Sequence, residues 1–168
     1  MRKHLFVLVC FIFLLSLSGC DTKTQEKDSK NNNLSKTNTI ICSKTQTDED
    51  GNVTYSESKV TYKNNYVLTV EETVKMDVNS EYFEITKSMM DSIFNIFDEI
   101  GGYEYNSKKE GTDKLVFTIK FDYEKVDFDK LKELTLELDE NADLSYIKNN
   151  KVTYTDFKNI ELEGYTCR

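Results

Sequence analysis

The residues of this chain best placed for chemistry are Leu17-Ser18-Gly19-Cys20. A thiolate is a good nucleophile, and the small side chains of Ser18 and Gly19 let an extended backbone lie close to a peptidase. Cys20 is therefore a candidate for covalent modification at sulfur. Elsewhere the chemistry-bearing residues say less. His4 is the single histidine and stands in the segment to be removed, so no Ser-His, Cys-His or His-metal constellation is expected afterwards. Three of the 30 acidic residues precede Ile40, which leaves 27 behind it. Among so many, some pair falls within glycosidase distance by chance, and the sequence does not single one out. No catalytic, cofactor-binding or metal residue is assigned.

What precedes Cys20 agrees with removal. Arg2, Lys3 and His4 form a short basic region, and Leu5 to Leu15 is an unbroken apolar run. As a helix that run would rise only about 16 Å against a hydrocarbon core of about 30 Å, the length of a signal segment and too short to span. Leu17 to Cys20 resembles the lipobox of bacterial lipoproteins. The resemblance implies a signal peptide over residues 1–19, a lipidated Cys20, and a chain held to the bacterial cell membrane on its extracytoplasmic side. Asp21 to Thr39 is polar except for Leu34 and reads as a flexible linker over residues 20–39. Residues 40–168 are expected to form a single domain.

Of the four cysteines, Cys10 leaves with the signal and Cys20 carries lipid, so Cys42 and Cys167 remain. Two thiols facing an oxidising exterior read as a disulfide closing almost the whole domain. Zinc wants four ligands and finds only these two thiols, and the close spacing of a redox-active pair is absent. The full chain has 22 Lys+Arg and 30 Asp+Glu; without Arg2 and Lys3 the balance is 20 to 30, a formal charge of −10. That repels phosphate and argues against nucleic acid as a partner.

The elements that must position any site begin with strands. Ile40 to Thr47 and Val53 to Tyr62 flank the turn-rich Asp48 to Asn52, and Lys63-Asn64-Asn65 precedes the strongest alternation in the chain. There Tyr66, Leu68, Val70, Val74, Met76 and Val78 share one face, with only Glu72 interrupting. A calcium loop starting at Asp48 needs a glutamate at its twelfth position, where Lys59 stands. The period then changes to 3.6: Tyr82, Ile85, Met89, Ile93, Ile96 and Ile100, widened by Met90, Phe94 and Phe97, predict one long helix from Glu81 to Ile100, capped by Asn79 or Ser80 and stopped by Gly101-Gly102. A hairpin follows, Tyr103 to Lys108 and Leu115 to Tyr123, then a short helix capped by Asp127. The last element is a helix with Thr153 and Asp156 in a capping-box spacing, ended by Gly164. The expected fold is α+β: an antiparallel sheet of about five strands, a meander plus a hairpin, with a long helix packed on one face and a C-terminal helix.

The run Phe121-Asp122-Tyr123-Glu124-Lys125-Val126-Asp127-Phe128, with the helix, tyrosine-rich strand and hairpin before it, resembles the YehR-like lipoprotein family over roughly Val60 to Leu134. The resemblance implies an α+β domain behind a lipobox, with no activity, cofactor or catalytic residue to carry over. The Cys42 and Cys167 pair is not part of that pattern.

All ten tyrosines follow Ile40, and Tyr55, Tyr103 and Tyr105 are the ones alternation leaves free to form an open surface for a peptide or glycan ligand. Packing within the sheet is the competing reading. Three functions stay open: a non-enzymatic binding or envelope-structural lipoprotein, an accessory substrate-capture lipoprotein of a transporter, and a carboxylate-dependent hydrolase.

Overall fold

The computed structural model describes residues 36–168. The signal peptide, Cys20 and the linker up to position 35 lie outside the described residues.

Six antiparallel strands form one sheet: β1 (Asn38–Thr47), β2 (Val53–Lys63), β3 (Tyr66–Asp77), β4 (Tyr103–Glu110), β5 (Lys114–Asp122) and β6 (Thr166–Cys167), in the order β4-β5-β3-β2-β1-β6. The sheet thus has one strand more than expected. β6 is only two residues long, too short to carry any periodicity, and pairing with β1 defines it: Cys167 lies opposite Cys42 and Thr166 opposite Ser43.

Turn chemistry sets the register. Asn64 and Asn65 have φ of 50° and 63°, the left-handed pair a type I′ hairpin requires and asparagine tolerates. At the β1–β2 turn the Asp48 carboxylate accepts the backbone N–H groups of Asp50 at 3.0 Å and Asn52 at 2.8 Å, so this acidic group holds its own loop. A bulge then corrects the expected faces. Thr61 pairs with Thr69 but Tyr62 pairs with Val67, which leaves Leu68 as an extra residue. The extra residue reverses the alternation, so Val67 is buried and Tyr66 is exposed.

The helices cover one face. The expected long helix is shorter: α1 spans Phe83–Phe94 and continues as a 3-10 turn over Asn95–Glu99. Its buried stripe is Phe83, Met90, Phe94, Phe97 and Ile100, whereas Tyr82 and Ile85 are 55% and 68% exposed. Two apolar stripes overlap on this helix, and the one carrying three phenylalanines removes more area from water. The stop at Gly101-Gly102 is sterically required, since a Cβ would stand 2.8 Å from the Lys125 carbonyl oxygen at the first position and 2.6 Å from that of Asp122 at the second. α2 (Phe128–Leu138) is capped by Asp127, whose carboxylate accepts from Asp129 and Lys130 N–H. α3 (Tyr154–Ile160) starts at Thr153, whose hydroxyl accepts from Asp156 N–H. Asn65 docks α3 on the β2–β3 turn: its carbonyl accepts Tyr154 N–H at 2.8 Å, and its Oδ1 accepts both the N–H and the hydroxyl of Thr155.

Two stability predictions follow from this geometry. Asn65→Ala should cost about 1–2 kcal/mol in urea unfolding, because it loses both side-chain bonds and an easily left-handed residue, while Asn64→Gly should be near neutral. Replacing Cys42 and Cys167 together by alanine should cost about 2–4 kcal/mol, and the unreduced parent should run faster than the reduced one on a denaturing gel.

Candidate functional site

The expected site residues do not come together. Cys20 lies outside the described residues. Cys42 and Cys167 form a disulfide across 125 positions of sequence. Tyr55 stands on the open face, its hydroxyl donating to Glu57 Oε2 at 2.9 Å. Tyr103 and Tyr105, by contrast, lie on the covered face: the Tyr103 hydroxyl donates to the Phe94 carbonyl at 3.0 Å and that of Tyr105 to Asp91 Oδ1 at 2.9 Å. Alternation along β4 turns both rings under α1, where Tyr105 stacks on Phe94, so these three tyrosines share no open surface.

A different cluster does converge. On the covered face one transverse row runs Cys167, Cys42, Ser58, Glu72, Ile119 and Tyr105, each opposite the next across β6, β1, β2, β3, β5 and β4. Glu72 is the charged residue in an otherwise apolar stripe of β3. The Tyr165 hydroxyl, between α3 and β6, donates to Glu72 Oε1 at 2.8 Å. Glu161, just past α3, lies near enough to Tyr146 and Glu72 to feel both. Both carboxylates are surrounded by protein, in residues that keep some accessible surface, as at the foot of a crevice. Among the described residues neither has a lysine or arginine within ion-pair distance. Lys44 Nζ lies over the Tyr165 ring, 5.9 Å from its centroid.

Burial governs the electrostatics. It pushes Glu161 up to about 7, with the Tyr146 hydrogen bond opposing and the charges of Glu72 and Asp143 adding to the rise. Burial also raises Glu72, partly offset by the Tyr165 hydroxyl. The phenols of Tyr123, Tyr146 and Tyr165 are all pushed up, first by loss of water and then by these carboxylates. Ser58 is fully buried, and its hydroxyl has no hydrogen-bond partner. Asp91 of α1 accepts from Tyr105 and Ser107 on β4.

Sequence reasoning met Glu72 only as an interruption of alternation, and a lone carboxylate on an apolar strand face was the available signal. Glu161 had none, because a short helix end does not reveal what it approaches.

Glu161 also makes stability pH-dependent. A carboxylate whose folded value lies above its unfolded one favours folding below about pH 4.5 and loses that contribution as pH rises through about 7. Unfolding free energy should therefore fall between pH 5 and pH 7.5, by on the order of 2 kcal/mol from this group, and Glu161→Gln should flatten that decline in urea titrations.

No protein-family model and no curated protein matches the chain. Two solved structures do. An NMR structure of a protein from Streptococcus pneumoniae TIGR4 aligns over 89% of this chain and 100% of its own, at 17% identity and a TM-score of 0.50. The NMR structure of Escherichia coli YehR aligns over 79% of this chain and 91% of its own, at 16% identity and a TM-score of 0.55. At such identities what is shared is architecture, and the chain has a YehR-like fold.

Proposed function

We propose that this chain is a YehR-like lipoprotein of the cell envelope, anchored at Cys20 and facing the extracytoplasmic side, whose small domain binds a ligand without turning it over. The observation that carries the binding reading is the crevice: two carboxylates without a cation partner among the described residues, Glu72 held by the Tyr165 hydroxyl and Glu161 near Tyr146. Groups with raised proton affinity and spare hydrogen-bonding capacity are poised for an incoming partner. The tether supports the same reading, since the linker keeps the domain near the membrane and the disulfide suits an oxidising exterior. A hydrolase is the second reading, and one observation favours it: Glu161 near 7 beside Glu72 is the kind of split carboxylate pair that acid–base catalysis uses.

The test has two arms. Cys20→Ala should abolish labelling by a fatty-acid analogue and leave a larger precursor; normal labelling would overturn the anchor. Thermal shift across metals, sugars and peptides should yield a ligand whose effect disappears in Glu72→Gln, with no product formed on prolonged incubation. Turnover lost in Glu161→Gln would instead establish the hydrolase.

A further inference from the structure

We infer that the crevice over Glu72 takes an organic cation, a protonated amine carrying an apolar body. This deepens the binding reading above and rests on it.

Charge is the first ground. Elsewhere on this domain carboxylates are neutralised by lysines: Asp77 by Lys114, Asp91 by Lys87, Asp122 by Lys125 and Asp156 by Lys148. Acids outnumber bases in the chain, 30 to 22, and among the described residues the lysines that pair go to other acids, none to Glu72 or Glu161. Asp143 adds its field to Glu161, so the crevice is negative and repels anions.

The second ground is the unused hydroxyl of Ser58. It is fully buried, without a hydrogen-bond partner, and it stands directly opposite Glu72 on the same face of the sheet. A polar head bound against Glu72 gives that hydroxyl the partner it lacks.

The walls set the class. Tyr123, Tyr146 and Tyr165 surround the carboxylates, and aromatic faces attract cations; Lys44 over Tyr165 already uses one. A hard divalent ion is disfavoured, because it wants many oxygen ligands and among the described residues no three acidic groups converge.

Proton linkage gives a readout that simple adhesion lacks. The groups facing Glu161 are Glu72 from β3, Asp143 and Tyr146 from the segment after α2, Tyr123 after β5 and Tyr165 after α3, with Lys44 of β1 behind Tyr165. An amine stays charged up to about pH 10 and favours the ionised carboxylate. Binding therefore releases a proton below about pH 7, and affinity rises with pH through that value and levels off above it.

Calorimetry on the detergent-solubilised full chain, with phenethylammonium, phenethyl alcohol and 3-phenylpropanoate as probes, tests this. The ammonium should bind saturably and at least about tenfold more tightly than the other two. Its affinity should fall about tenfold or more in Glu72→Gln, and buffers of different ionisation enthalpy should reveal proton release at pH 6 but not at pH 8.5. Glu161→Gln, judged folded by its unfolding transition, should bind without that release. Equal or tighter binding of the alcohol or carboxylate overturns the cation class and leaves a binding domain standing. Unchanged affinity in Glu72→Gln overturns the site. Failure of all three probes overturns the cation inference, and the sugar and peptide arms of the thermal-shift experiment then decide whether the domain binds at all.

Discussion

The pairing of Cys167 against Cys42 is the constraint on which the polar half of this domain depends. A two-residue strand has almost no stability of its own, and just past β6 Arg168 exchanges backbone bonds with Ile41, at 3.2 and 2.9 Å. The disulfide makes that short ladder permanent. Two residues before Cys167, Tyr165 then has a fixed origin from which its hydroxyl reaches Glu72 on the third strand inward. Glu161 lies four residues before Tyr165, so the same staple limits where the second carboxylate can be. Oxidation at the rim and the geometry of the crevice are in this way one mechanical unit.

The covered face of the sheet is divided between two kinds of tyrosine. Over β4 and β5, Phe94 packs on Tyr105 and Phe117 with centroids 5.1 and 5.3 Å apart, and Tyr103 tilts against Phe121 at 5.0 Å. There the hydroxyls of Tyr103 and Tyr105 are spent on α1, and the rings contribute as core. Over β3 and β2 the rings of Tyr123 and Tyr165 lie beside carboxylates whose protonation they help to set. Residue type alone does not separate the two groups. The separation follows from which strand or loop carries the ring and whether α1 or α3 lies above it.

Much of this architecture was legible. The alternation of β3 and β5, the asparagine turn at Asn64-Asn65, the caps at Asp127 and Thr153 and the closing disulfide all follow from local chemistry that tertiary packing did not override. What escaped depends on a single residue of register or on distant neighbours. The bulge at Leu68 exchanged Tyr66 for Val67, and the choice between two apolar stripes on α1 was made by the sheet beneath it. β4 shows the same limit. Tyr103 and Tyr105 are two residues apart and must share a face, but which face that is depends on the pairing of Tyr103 with Phe121 and Tyr105 with Ile119. The crevice itself was not legible, because Glu72 and Glu161 are 89 positions apart and meet only once β6 has been drawn back to β1.

Glu72 also bears on what the domain is for. Val70 and Val74 flank it on the same face of β3, and both are buried, so an aliphatic residue there would continue the stripe with better strand propensity and no desolvation. A second carboxylate nearby makes matters worse, since Glu72 raises the proton affinity of Glu161 and, among the described residues, neither has a cation to answer it. Ser58 compounds the cost with an idle hydroxyl. Three unfavourable polar choices on one short arc of an otherwise well-packed sheet are hard to account for by folding, which gains from removing each of them. Sequences break local rules of this kind mainly where a site needs them.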